Sequence, residues 1–136
     1  MTARRFIIAG LLATVITSHC ASAATIGVVA PRSGPYAVLG SQILEGARAA
    51  AQAVGDTIVE IDESCEEKDG ASIAHALAEA KVVASVGFLC VETLSTALPL
   101  LKASNIPAIT VSVRSKILME DALRNGWPFF RMAPAE

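Results

Sequence analysis

TIGVVAPRSGPYAVLGSQILEGARAAAQAV, residues Thr25 to Val54, changes its period partway along. Thr25–Ala30 is short, apolar and rich in β-branched residues, the composition of a buried strand. Pro31-Arg32-Ser33-Gly34-Pro35 is a turn cluster. From Ala37 onward, small or apolar residues recur at helical spacing (Leu39, Ile43, Ala47, Ala50, Ala51, Val54), and Gly55-Asp56 closes the run. The stretch is one strand–turn–helix unit, and the rest of the chain repeats it.

Thr57–Ile61 alternates as a second strand and leads into an acidic loop from Asp62 to Asp69. Ala71–Ala80 is helical, with Ala74, Leu77 and Ala78 on one face. Val82–Leu89 is predicted as the third strand, Glu92–Ser104 as a helix crossed by Pro99, and Pro107–Val111 as the fourth strand. Lys116–Asn125 is a further helix, and Phe129–Met132 a last extended piece. Strand and helix alternate, and the strands are apolar enough to be covered on both faces. The pattern specifies an α/β fold, a doubly wound, mostly parallel sheet with helices on both faces. Right-handed crossovers place every strand-to-helix loop on one edge of that sheet, where such folds bind ligands. Those loops are Pro31–Tyr36, Asp62–Asp69, Cys90–Glu92 and Ser112–Ser115.

The N-terminus carries the three parts of a secretory signal peptide. Arg4 and Arg5 are followed by an uncharged, largely apolar run from Phe6 to Ile16, too short to span a bilayer. Ala21-Ser22-Ala23 then supplies small residues for a peptidase, so residues 1–23 are expected to leave, with cleavage between Ala23 and Ala24. The product is expected to be soluble and exported, with 24–136 as its folded unit. The chain has 11 basic and 13 acidic residues. Without Arg4 and Arg5 the balance is about −4, which offers nucleic acid no footprint.

Cys20 departs with the signal and leaves Cys65 and Cys90, both on the binding edge. Two thiols in an oxidising compartment are expected to pair. A nucleophilic cysteine would need a base, and the remaining histidine, His75, lies one helix earlier on a polar face. Zinc would need more ligands than two cysteines without a C-x-x-C pair. Gly27 and Gly34 form neither a dinucleotide fingerprint nor a phosphate loop. The acidic stretch Glu60–Asp69 misses the calcium-loop spacing and is expected to be a solvated loop. Trp127, Phe129 and Phe130 are expected to be packing residues. No catalytic acid/base pair, metal site or cofactor site is expected.

IGVVAPRSGPYAVLGSQILEGARAA resembles the opening of the Leu/Ile/Val-binding protein family, the periplasmic substrate-binding proteins of branched-chain amino acid ABC transporters. The resemblance rests on Ser33-Gly34-Pro35, Gly40 and Gly46-Ala47, on a D-x-x-C…G-x-L-C arrangement (Asp62, Cys65, Gly87, Leu89, Cys90), and on Asn105–Thr110 and Phe130-Arg131. It implies a type I periplasmic binding fold of which this chain is the N-terminal lobe, cut short, since family members are much longer and have two lobes. It also implies a Cys65–Cys90 disulfide, an amino-acid ligand, a membrane permease as partner and a monomeric state.

The implied ligand contacts fall on Tyr36, Leu89, Cys90, Val91, Ser112 and Arg114. Val91 stands where the family usually has a carboxylate-binding Ser. Val111 and Arg114 stand where it has a Pro and a ligand-contacting Thr, and Arg114 can itself pair with a carboxylate. Two alternatives remain at this stage. One is a sensor domain of the same fold, the other a small exported enzyme using Ser112, Arg114 or a free cysteine.

Overall fold

The computed structural model describes residues 22–134. Most of the expected signal segment, with Cys20, lies outside them. The elements are β1 (Thr25–Ala30), α1 (Ala37–Val54), β2 (Thr57–Asp62), α2 (Asp69–Glu79), β3 (Ala84–Gly87), α3 (Val91–Ala103), β4 (Ala108–Thr110), α4 (Lys116–Asn125) and β5 (Phe129–Arg131). All four strand pairings are parallel, in the order β2-β1-β3-β4-β5. The chain steps from β1 outward to β2, then crosses back over β1 to β3. That reversal opens a crevice at the carboxyl ends of β1 and β3, the place where open α/β sheets hold ligands.

Adjacent residues of β1 face opposite cores. Val28 and Ala30 pack with Leu44 of α1. Val29 faces the larger core, with Leu77 of α2, Leu94, Leu98 and Leu101 of α3 and Leu118 of α4. Helices therefore lie on both faces, but unequally. Among the described residues, three cover one side of the sheet, while α1 alone covers part of the other, over β1 and β2. Covalent layout fixes this: a right-handed β1–α1–β2 crossover and a β2–α2–β3 crossover in the opposite direction must use opposite faces.

The expectation of strands covered on both faces is thus corrected for β3 to β5. Along one row of the sheet, Val28, Val86, Ile109 and Phe130 are register partners in turn. Val28 is buried beneath α1, Val86 and Ile109 are half-buried, and Phe130 is 58% exposed. Phe129, its neighbour, is buried in the large core and Trp127 packs half-buried against it, so only Phe130 departs from the packing role expected of the three.

The third strand is shorter than its apolar run. Val82 turns back to bond Leu77 O through its amide at 3.3 Å, and at the other end Gly87 and Phe88 leave the β region with φ of +106° and +54°. A Cβ on Gly87 would fall on the Val29 carbonyl oxygen, so no other residue fits there without moving β1.

Candidate functional site

The turn after β3 is anchored from every side. The Phe88 amide donates to Val29 O at 2.9 Å, and its buried ring fills the large core. The Thr110 hydroxyl at the end of β4 donates to Phe88 O at 2.8 Å and accepts the Val113 amide at 3.1 Å. The Ser112 hydroxyl lies 3.3 and 3.4 Å from the carbonyl oxygens of Phe88 and Leu89. The loops after β3 and β4 are thereby tied into one ledge.

Glu63 holds the same turn from the β2 side. Its carboxylate accepts the Leu89 amide at 2.8 Å and the Cys90 amide at 3.2 Å, one on each oxygen. The residue is 1% exposed. Burial raises its pKa to about 6, against the opposing pull of those two backbone bonds and of the Thr93 hydroxyl, while Glu92 adds to the rise. Thr93 Oγ1 makes no hydrogen bond of ordinary geometry and is the buried side-chain atom without a partner among the described residues. The solvated loop expected over Glu60–Asp69 is therefore corrected at Glu63. The chain places an acid there because two backbone donors, far away in sequence, need an acceptor.

Cys65 and Cys90 are brought together across the end of β1, their sulfurs within bonding distance and their Cα atoms 5.2 Å apart. The two strands they follow, β2 and β3, are not neighbours, since β1 lies between. Glu63, Cys65 and Cys90 form the one group of potential metal-ligating side chains close enough to share an ion among the described residues, within 4.8 Å. Joined sulfurs have no thiolate to offer a metal.

Leu89, Val91, Ser112 and Arg114 line one cavity of about 410 Å³, completed by Val113, Ser115, Lys116 and Ile117. The starts of α3 and α4 both border it. Helix α3 begins without a side-chain cap, whereas Ser115 Oγ caps α4 by accepting the Leu118 amide at 3.2 Å. Two helix N-termini, one guanidinium and one ammonium make the cavity favourable to an anion, against the opposing carboxylates of Glu63 and Glu92 at the start of α3. Lys116 is partly drawn off by Glu120, 3.8 Å away. A second, apolar cavity of about 550 Å³ adjoins it, shares Leu89 and Ser112, and is walled by Ile43 and Ala47 of α1 and Val86 of β3.

Of the residues expected at the ligand, four meet in the first cavity. Tyr36, 46% exposed after β1, and the buried Cys90 line neither cavity. The amides of Leu89 and Cys90 are already spent on Glu63, so any main-chain contact from Leu89 must come from its other atoms. Sequence reasoning missed Ser115, Lys116 and Glu63. Ser115 carries a readable signal, a hydroxyl residue directly before a helical run, and Lys116 is the cation next to it. Glu63 carries none.

Residues 23–134 match the model of the periplasmic binding protein family. The chain belongs to that family, as the Leu/Ile/Val-binding-like motifs of its first strand and turn imply. It is similar in structure to a solute-binding protein of an ABC transporter from R. palustris in complex with 4-hydroxybenzoate (TM-score 0.70, 22% identity, 83% of this chain and 32% of that one). It is similar also to the branched-chain amino acid transporter substrate-binding protein LivJ from Streptococcus pneumoniae in complex with isoleucine (TM-score 0.67, 22% identity, 83% and 34%). A third neighbour is an R. palustris solute-binding protein in complex with benzoate (TM-score 0.70, 21% identity, 83% and 33%). No curated protein matches the chain by sequence. The chain spans about a third of the length of these structures, and these relatives are solute-binding proteins rather than enzymes.

Proposed function

We propose that this chain is the first lobe of a solute-binding protein serving an ABC transporter, and that it takes the carboxylate end of a small organic acid or amino acid. The observation that carries the reading is the cavity at Val91, Ser112 and Arg114. It is positive by two helix N-termini and two cationic side chains, and it opens beside an apolar cavity suited to the rest of such a molecule. The solutes held by the structures named above are two aromatic acids and one amino acid, and a carboxylate is what all three have in common, which is the group this cavity suits. An amino acid remains the first candidate, on the strength of the Leu/Ile/Val-binding motifs.

The chain works in the periplasm as a monomer delivering solute to a permease, after cleavage between Ala23 and Ala24 leaves 24–136. One local contact supports that boundary. The Ala24 nitrogen lies 2.9 Å from Asp56 Oδ1, so cleavage there would create an ammonium already facing a carboxylate. Leu89 and Val91 contribute shape, Ser112 a hydroxyl oxygen, and Arg114 charge. Tyr36 belongs to the outer rim, and Cys90 acts through its bond to Cys65.

The test is titration of the exported chain with isoleucine, benzoate and 4-hydroxybenzoate, followed by amide chemical shifts. Shifts concentrated at Leu89–Val91 and Ser112–Lys116 are expected with all three. Shifts elsewhere on the molecule, or none at tens of millimolar ligand, would refute the assignment.

A further inference from the structure

Glu63 is unusual on three counts. It is a nearly inaccessible carboxylate with no cation beside it among the described residues, a costly arrangement unless something needs it. Both its oxygens are committed to backbone amides of one turn. That turn holds two successive residues, Gly87 and Phe88, in left-handed conformations, and a bulky residue such as Phe88 does not stay there without external support. The turn also supplies Leu89 and Val91 to the positive cavity.

We propose that Glu63 is a positioning residue of the cleft. By taking both amide hydrogens of the turn after β3, its carboxylate sets the angle at which Leu89, Val91 and the start of α3 meet the solute, and protonation of Glu63 loosens that hold. This rests on the solute-binding reading above. A carboxylate presents acceptors to both amides, whereas the protonated acid carries a donor on one oxygen. A glutamine has the same shape and sets an NH2 group against one of the two amides, so Glu63→Gln imitates the protonated state at every pH. Around Glu63 the charged group that acts on it is Glu92, on the first turn of α3. The Arg32 amide bonds instead to Asp62 Oδ1 at 2.7 Å, and the joined cysteines carry no proton.

The experiment uses the 15N-labelled exported chain and its Glu63→Gln variant between pH 4.5 and 7.5. In the unmodified protein the amide shifts of Leu89 and Cys90 are expected to move together with one midpoint near 6, the value burial gives Glu63, and in the variant neither moves. Isoleucine is the ligand probe, because its carboxyl group, with an ordinary pKa of about 3.5, stays ionised throughout. Its affinity is expected to fall about tenfold from pH 7.5 to pH 5, the worth of one charged hydrogen bond. The variant should show the weaker value at both.

Amides that do not titrate, or a variant that binds as tightly as the parent at pH 7.5, would overturn the proposal. If isoleucine binds at neither pH while the amides titrate, the isoleucine assignment fails and the hold of Glu63 on the turn stands. Should the variant not fold, the two pH arms on the unmodified protein decide the matter alone.

Discussion

Two glycines, each inside a helix, should respond to alanine in opposite directions. Gly46 sits in the middle of α1, exposed, and a Cβ there meets nothing within 4 Å. Gly46→Ala should therefore gain most of the intrinsic helix preference, about 0.5–1 kcal/mol. Gly70 sits in the first turn of α2, where that preference is worth less, and it faces α3 at close quarters. A Cβ on it would overlap Thr96 Oγ1 and the Thr93 carbonyl oxygen and come within 2.8 Å of the Ala97 nitrogen. The Thr96 side chain could rotate, but only by giving up its 2.7 Å bond to Glu67 O, and the two backbone atoms cannot. The α2–α3 pair must then move apart. Overpacking of this kind costs about 1–3 kcal/mol, and with rigid backbone as the obstacle the upper end applies. The net expectation for Gly70→Ala is a loss of about 2 kcal/mol, or roughly 8 °C in Tm for a chain of this size. Urea unfolding under non-reducing conditions measures both variants against the parent, with equal m-values as the check that the same surface unfolds. If Gly70→Ala is as stable as Gly46→Ala, helix propensity outweighs the contact and the close approach of α2 to α3 is wrong.

The other predictions concern charge, crosslink and ligand. Because folding raises the pKa of Glu63 from 4.5 to about 6, its contribution to stability is fully present below pH 4.5 and is lost as pH rises through 6. The loss is about 2 kcal/mol, and the Glu63→Gln variant should lack this step in a pH series of unfolding curves. Cys65 and Cys90 should resist alkylation in denatured, unreduced material from the periplasm; two labelled thiols there would remove the crosslink from the account. Replacing Ser112 or Arg114 should weaken solute binding by severalfold or more, Arg114 without lowering Tm and Ser112 with a small loss from its bonds to Phe88 and Leu89, and unchanged affinity in both would move the site elsewhere. Residues 24–136 alone should bind isoleucine only in the millimolar range. A few solvent-facing hydrogen bonds of about 1–3 kcal/mol must offset an association cost of at least about 4 kcal/mol. A micromolar Kd by calorimetry would show that one wall suffices.

Which parts of this were legible in the sequence follows from the range of the interactions involved. Local signals set β1, α1 and α4 to the residue, because β-branched runs, helical spacing and a glycine after each helix act over a few positions. The ends of β3 were not legible. Val82 and Phe88 are as apolar as any strand residue, and what removes them from the strand is a bond back to Leu77 in one case and a left-handed turn in the other. The sheet edge that carries the cavity, and four of the residues that line it, could be read from alternation together with the family motif. Glu63 could not, because an acid among acids looks solvated until the amides of Leu89 and Cys90 are seen to close over it. The bare half of the sheet escaped for a similar reason. Strand composition reports what could be buried, and topology decides where the helices go.

The unequal coating of the sheet should divide the molecule by its rate of local opening. Among the described residues, β1 and β2 lie between helices on both sides, while β4 and β5, three residues each, are backed on one side only. Segments with short ladders and little covering open at a lower free energy than the global unfolding transition. Amide hydrogens of β4, β5 and α4 should therefore exchange with solvent well before those of β1. The ledge that carries Ser112 and Arg114 is the boundary between the slow and fast regions. A solute seated there would bridge the two, so part of its binding free energy would go into slowing exchange in β4 and α4, residues it need not touch.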